Sequence, residues 1–262
     1  MSFIIGEKKM YNTVTFSTNV YYKTYEKVLL GGFLGEQLDL INYPFTEKII
    51  TINGFFAETE QIRIENIIKN NFPDFKYYFT EDQPGKVLQS FNLKKDDIVP
   101  GYDYSIHHFT TFFHTASDYV FYIGDDCPIQ YIDHNFIPRS IALMEKNQSV
   151  ICTQPSWDKD SSGAIGEKVY EMDDFYIELG FTDQIYLGNM RYFKAHIYSL
   201  NHPASDRYPS YGANGFERRV DSYMQTHNRY RAVDKMSYYI HEGKKITWKK
   251  LKKTIKRYLI NI

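Results

Sequence analysis

Residues Tyr119 to Ile129 read YVFYIGDDCPI, and the organisation of the chain follows from how that stretch runs and how it stops. Tyr119 to Ile123 are apolar or aromatic without a break. Such a short run suits a strand buried on both faces, as inside a parallel sheet covered by helices. Gly124 then breaks the pattern, Asp125 and Asp126 put adjacent carboxylates at the strand's C-terminal end, and Pro128 removes a backbone donor. Ligands bind at the carboxyl ends of strands in open α/β sheets, and adjacent acids there either hold a cation or repel one another. Oxygen donors suit Mg²⁺ or Mn²⁺, which share their coordination sphere with substrate phosphates. The competing reading is a plain turn, with Asp125 or Asp126 capping the next segment.

Upstream, the pattern predicts strands over Thr13–Thr18, Lys48–Asn53 and Phe75–Phe79. Helices are predicted over Asn19–Ile41, weakened by Gly31 and Gly32, over Glu58–Asn70 and over Tyr104–Ser117. The resulting β-α-β-α-β-α-β order means a mostly parallel sheet with right-handed crossovers, flanked by helices. Ser17, Asn53, Asp82 and Asp126 are then expected around one cleft. Downstream, strands are predicted over Ser149–Gln154, Ile185–Tyr192 and Arg231–Tyr239, with a short helix or turn over Lys194–Leu200. A loop over Ala204–Gly215 leads to a helix over Phe216–Gln225 that opens with Glu217, where the helix dipole favours a carboxylate. We expect one domain over residues 1–243, its halves at about 11–130 and 131–243, and a separate tail at 244–262.

Hydrophobic residues at 43% and charged residues at 24% exclude a disordered chain. The 24 Tyr and 19 Phe suit surfaces that hold polar, ring-shaped ligands as well as cores. Cys127 and Cys152 have neither zinc spacing nor a disulfide framework, which points to a reducing compartment. The apolar run in MSFIIGEKKM is too short for a signal peptide, so a soluble, cytoplasmic protein is expected. From Lys244 to Ile262 there are eight Lys or Arg and no acid, against a balance of −9 in the rest. Trp248, Leu251, Ile255, Leu259 and Ile262 recur at helical spacing among those lysines, as in a basic amphipathic helix. Its apolar stripe either docks on the acidic body or makes a peripheral contact with an anionic membrane. Nucleic acid is not an expected partner, because the body repels phosphates.

The arrangement resembles the GT-A fold of nucleotide-sugar-dependent glycosyltransferases, and among them family 2-like enzymes, over roughly Thr13 to His241. The resemblance implies a Rossmann-like first half that binds the nucleotide, an acidic motif holding Mn²⁺ or Mg²⁺ against the diphosphate, and a second half for the acceptor. It puts Asp125 and Asp126 at the metal, Asp125 also against the donor, and His241 as a returning metal ligand. Phe16, Ser17 and Thr18, after the first strand, and Glu81 and Asp82, after the third, fall where such enzymes hold base and ribose. Helix capping and plain turns are the other readings of those residues. Glu217 falls where inverting members supply the base that takes the acceptor's proton, with Asp221 a weaker rival. The donor implied is UDP- or GDP-linked, and the acceptor a glycan or a lipid-linked sugar. The chain departs from Asp-x-Asp by reading Gly124-Asp125-Asp126, so one carboxylate of the usual motif is replaced by glycine. That departure supports the alternative of a non-catalytic carbohydrate- or nucleotide-binding protein. A sugar nucleotidyltransferase fits less well, because Gly31, Gly32 and Gly35 come too late for a phosphate loop after the first strand. His107, His108 and His114 lack ligand spacing and are expected to pack or face solvent. Gly-x-Ser-x-Gly, His-Glu-x-x-His and Walker motifs are absent.

Overall fold

The computed structural model of the chain describes residues 12–54, 56–209 and 214–240. The expected basic helix at 244–262 and His241 lie outside the described residues. The first half runs β1 (Val14–Tyr21), α1 (Tyr25–Leu29), α2 (Phe33–Ile41), β2 (Glu47–Asn53), α3 (Glu58–Asn71), β3 (Lys76–Phe79), α4 (Pro84–Gln89), α5 (Ile106–His114) and β4 (Tyr119–Ile123). The strands lie in the order β3-β2-β1-β4 and every neighbouring pair is parallel. Their C-terminal ends therefore share one edge, as crossovers through helices require.

The second half adds β5 (Ile129–Tyr131), α6 (Phe136–Lys146), β6 (Val150–Ser156), α7 (Ser162–Glu167), β7 (Lys168–Met172), β8 (Phe175–Glu178), β9 (Ile185–Asn189), α8 (Met190–Phe193), α9 (Phe216–His227) and β10 (Tyr230–Tyr239). The same sheet continues from β4 as β9-β6-β10-β8-β7, with β5 paired to β10. β9 is antiparallel to both β4 and β6, and β10 is parallel to β6. β6 and β10 thus end on the edge where β4 ends.

Side chains alternate across a strand, which explains why YVFYI has no polar position. Tyr119, Phe121 and Ile123 join a core with Phe16, Val28, Leu34, Ile64 and Ile137, while Val120 and Tyr122 face a second core with Phe109, Phe193, Phe216 and Val220. Helices α1, α2, α3 and α6 cover the first face, and α4, α5, α8 and α9 the second.

The structure moves several expected boundaries. β1 continues through Asn19-Val20-Tyr21, so the helix expected from Asn19 begins only at Tyr25. Gly32 (φ 85°) then cuts it into α1 and α2, because a left-handed residue cannot continue a helix. The strand expected to reach Tyr192 stops at Asn189, whose side chain accepts the Arg191 amide (3.0 Å) and caps α8. The longer β1 corrects an expected ligand position. Phe16 lies inside the sheet, its ring 5.3 Å from that of Phe45 and 6.0 Å from that of Phe75, and it has no exposed surface. Phe16→Ala is expected to cost about 3–5 kcal/mol in urea unfolding, while the folded fraction keeps unchanged affinity for nucleotide. A selective loss of nucleotide affinity with intact stability would return Phe16 to the binding site.

Candidate functional site

Ser17 and Thr18 are corrected with Phe16. Both are fully buried: Ser17 Oγ lies 2.8 Å from Thr111 Oγ1, and Thr18 Oγ1 donates to the Ile123 carbonyl at 2.8 Å. They tie β1 to α5 and β4. Asn19, Tyr21 and Tyr22 occupy the strand end instead. The Tyr21 and Tyr22 rings lie 4.4 Å apart, and Gly54 (φ 112°) at the end of β2 leaves room for Tyr22, whose ring would stand 3.2 Å from a Cβ there. Tyr22 and Tyr104 are 41% and 55% exposed, enough to offer ring faces to a ligand. Burial first, then the Tyr22 contact and the Asp103 charge, push the Tyr21 phenol up to about 12. Glu81 closes this side: it accepts from Tyr102 Oη at 3.1 Å, while Asp82 beside it points to solvent.

The Gly124-Asp125-Asp126 turn leaves β4 between two halves of the sheet. The Gly124 amide donates to the Gln184 carbonyl (2.8 Å), which extends the β4–β9 pairing by a residue. A Cβ on Gly124 would stand 3.2 Å from that carbonyl oxygen and 3.5 Å from Asp126 Oδ1. Glycine permits this close approach where an acid was expected. Asp125 is half-buried, with its carboxylate receiving Thr24 Oγ1 and, at 3.5 Å, Asn19 Nδ2. Asn19 is itself held by Tyr122 Oη, which donates to Asn19 Oδ1 at 2.6 Å. Burial raises the Asp125 pKa, the Thr24 and Asn19 hydrogen bonds oppose it, and the charge of Asp126 raises it further. Cys127 Sγ donates to Asp126 Oδ1 at 3.1 Å.

These residues fit a divalent cation. The turn forces like charges together in a partly buried place, which a cation relieves, and both donors are hard oxygens. Among the described residues no group of three His, Cys, Asp or Glu is arranged to hold an ion. The remaining coordination positions would belong to water and phosphate oxygens, as is usual for Mg²⁺.

Glu217 reaches the same edge from α9. The Phe216 amide donates to Ser105 Oγ (2.9 Å), and the Phe216 ring packs 4.2 Å from that of His108, so the first turn of α9 is fixed against α5. Burial and then the charge of Asp183 raise the Glu217 pKa well above the ordinary carboxylate value, while Arg231 and the Asp183 amide oppose them. The charge of Asp183 also acts on Tyr122, Cys127 and Tyr239. Asp183, which no motif marked, immediately precedes Gln184, the partner of the Gly124 amide, and its own amide reaches Glu217. Tyr239 closes the group, with its hydroxyl donating to Gln184 Oε1 at 2.8 Å, and Ile240 N donates to Pro128 O at 3.1 Å. Asp221 drops out as a base: it has no exposed surface and is held by Ser205 Oγ, Arg207 and Gln225. His107 and His108 are buried packing residues, and His114 stacks on Tyr78 at 3.6 Å.

The sequence matches no protein-family model and no curated protein. Among solved structures, GalNAc-T7 with UDP, GalNAc and Mn²⁺ superposes with a TM-score of 0.52 at 10% identity, over 88% of this chain and 43% of that one. The chain has the GT-A fold. Glucosyl-3-phosphoglycerate synthase from Mycobacterium tuberculosis, with Mn²⁺, UDP and phosphoglyceric acid, gives 0.45 at 13% identity over 88% of this chain and 70% of that one. TarS of S. aureus gives 0.44 at 13% identity over 87% and 59%. The chain thus spans less than half of the solved GalNAc-T7 chain and about three fifths of the solved TarS chain, which covers residues 1–349. No helix among the described residues is long and apolar enough to cross a membrane.

A carboxyl whose folded pKa is raised stabilises the protein below its unfolded value, about 4.3 for Glu, and loses that contribution as pH rises through the folded value. Glu217→Gln should therefore melt close to the wild type near pH 4 and increasingly above it toward pH 8, as followed by thermal unfolding across pH. A gap that is constant or closes with pH would show that Glu217 ionises without strain.

Proposed function

We propose that this protein is a glycosyltransferase that moves a sugar from a nucleoside-diphosphate sugar, with uridine the first nucleotide to test, to an acceptor hydroxyl with inversion. The observation that carries this reading is that the Asp183-Gln184 segment bonds the acidic turn through the Gly124 amide and Glu217 through the Asp183 amide, at the C-terminal edge of a sheet ordered β3-β2-β1-β4. Tyr21, Tyr22 and Tyr104, with Glu81 and Asp82 beside them, offer ring faces and acceptors for a base and ribose. Asp125 and Asp126 would hold Mn²⁺ or Mg²⁺, whose chemistry when bound is to neutralise charge on a diphosphate leaving group.

Glu217 supplies the base. The acceptor oxygen bonds to the anomeric carbon, the bond from that carbon to the diphosphate oxygen breaks, and the acceptor's proton passes to the Glu217 carboxylate. Burial and the neighbouring Asp183 make this carboxylate a stronger base than an exposed one, and Arg231 keeps it ionisable. The nucleotidyltransferase reading has no support at the end of β1, where Tyr22-Lys23-Thr24 takes the place of a glycine-rich loop.

The test is transfer and donor hydrolysis with UDP- and GDP-sugars, with and without Mn²⁺, beside nucleotide-induced thermal shifts. Asp126→Asn should lose the metal-dependent part of the shift. Glu217→Gln should keep the shift and lose transfer by about 10²–10⁴-fold. Transfer that survives in both variants would overturn the assignment, and nucleotide binding with no turnover in the wild type would mark a binding protein.

A further inference from the structure

We propose that the acceptor carries a phosphate group and that Arg207 binds it; this rests on the glycosyltransferase reading and names the acceptor's chemical class. Arg207 belongs to the segment that precedes α9, and its position is built. Its Nη2 bonds Asp221 Oδ1 (3.3 Å) and Tyr208 Oη (3.4 Å). Tyr208 is in turn pinned to Phe181, accepting from its amide (3.0 Å) and donating to its carbonyl (2.7 Å). Beneath the guanidinium lies Gly180 (φ 106°), where a Cβ would collide with Nη2. Glycine at 180 therefore serves the backbone turn and makes the seat for the arginine.

That seat lies beside Glu217. Asp221 is one helical turn after Glu217, about 6 Å along the axis and on the same side of α9, and it is Asp221 that Arg207 grips. Gly180 opens the short connection that carries Asp183 to the same place. The Tyr208 phenol is raised by burial, then by the charges of Glu217 and Asp221, which places the Arg207–Tyr208 pair within the field of the base.

A guanidinium that only neutralised Asp221 could be buried with it. Arg207 remains 45% exposed while Asp221 has no exposed surface. Among the described residues its hydrogen bonds use Nη2 alone. An arginine anchored at one nitrogen and open at the others presents the fork that phosphate oxygens match.

The full-length chain, with UDP and Mn²⁺ present, is titrated calorimetrically with glycerol 3-phosphate and with glycerol, and sedimented with phosphatidylglycerol and phosphatidylcholine vesicles. Phosphate-dependent binding is expected in the soluble arm, in the vesicle arm, or in both, and the positive arm names the source of the group. Arg207→Gln should weaken it by about ten- to a hundredfold and Arg207→Lys by less, while the UDP-induced thermal shift keeps its wild-type size in both variants. Glutamine keeps a donor for Asp221, and the retained UDP shift certifies the fold. Phosphate-dependent binding that is absent from both arms, or that Arg207→Gln leaves unchanged, overturns the proposal. Absence of the UDP shift and of donor hydrolysis in the wild type would overturn the glycosyltransferase reading instead.

Discussion

The hydrogen bond from the Gly124 amide to the Gln184 carbonyl is the constraint on which the site depends. It closes the last rung between β4 and β9, where the parallel half of the sheet meets the half that carries α9 and β10. Because that rung is closed, the chain turns at once. Asp125 faces Asn19 and Thr24 of the first half, and Gln184 receives Tyr239 of the second. A larger residue at position 124 would push on the carbonyl it bonds. Glycine in the acidic motif thus relieves a tight approach of the two backbones, and it does not by itself mark a site that has decayed.

The rung also concentrates charge. Asp125, Asp126, Asp183 and Glu217 gather at one edge, and the raised pKa values of Asp125 and Glu217 record burial and mutual repulsion. A core selected for stability alone would not keep them so. The compensation is local. Thr24 and Asn19 hold Asp125, and Arg231, itself paired with buried Glu178 (2.6 Å), offsets Glu217 from below. Strain that is only partly relieved by the protein is what a cation, a diphosphate and a departing proton can relieve further.

The sequence carried the alternation of elements and the burial of β4 plainly, because hydrophobic period and strand breakers act locally. The end of β1 was hidden: Asn-Val-Tyr after TVTFST is as compatible with a strand as with a helix start, and only pairing with β2 and β4 decides it. That slip moved the end of the strand from Thr18 to Tyr21. The β7–β8 hairpin escaped notice because Asp173, its left-handed corner, is no glycine. Asp183 and Arg207 escaped because their roles are purely tertiary, one set by the approach of β4 to α9 and the other by a glycine 27 positions away.

Tyr122 shows how far the site reaches into the core. Its ring packs against His108 (4.4 Å) and Tyr186 (5.3 Å) on the face covered by α5 and α9, while its hydroxyl fixes Asn19 and through it Asp125. His108 in turn carries the ring of Phe216, the residue before Glu217. One buried aromatic stack therefore positions Asp125 from one end and the start of α9, with Glu217, from the other. The tyrosine content of the chain has a physical reason here: tyrosine fills core volume like phenylalanine and still presents a hydroxyl where the packed interior meets the charged edge.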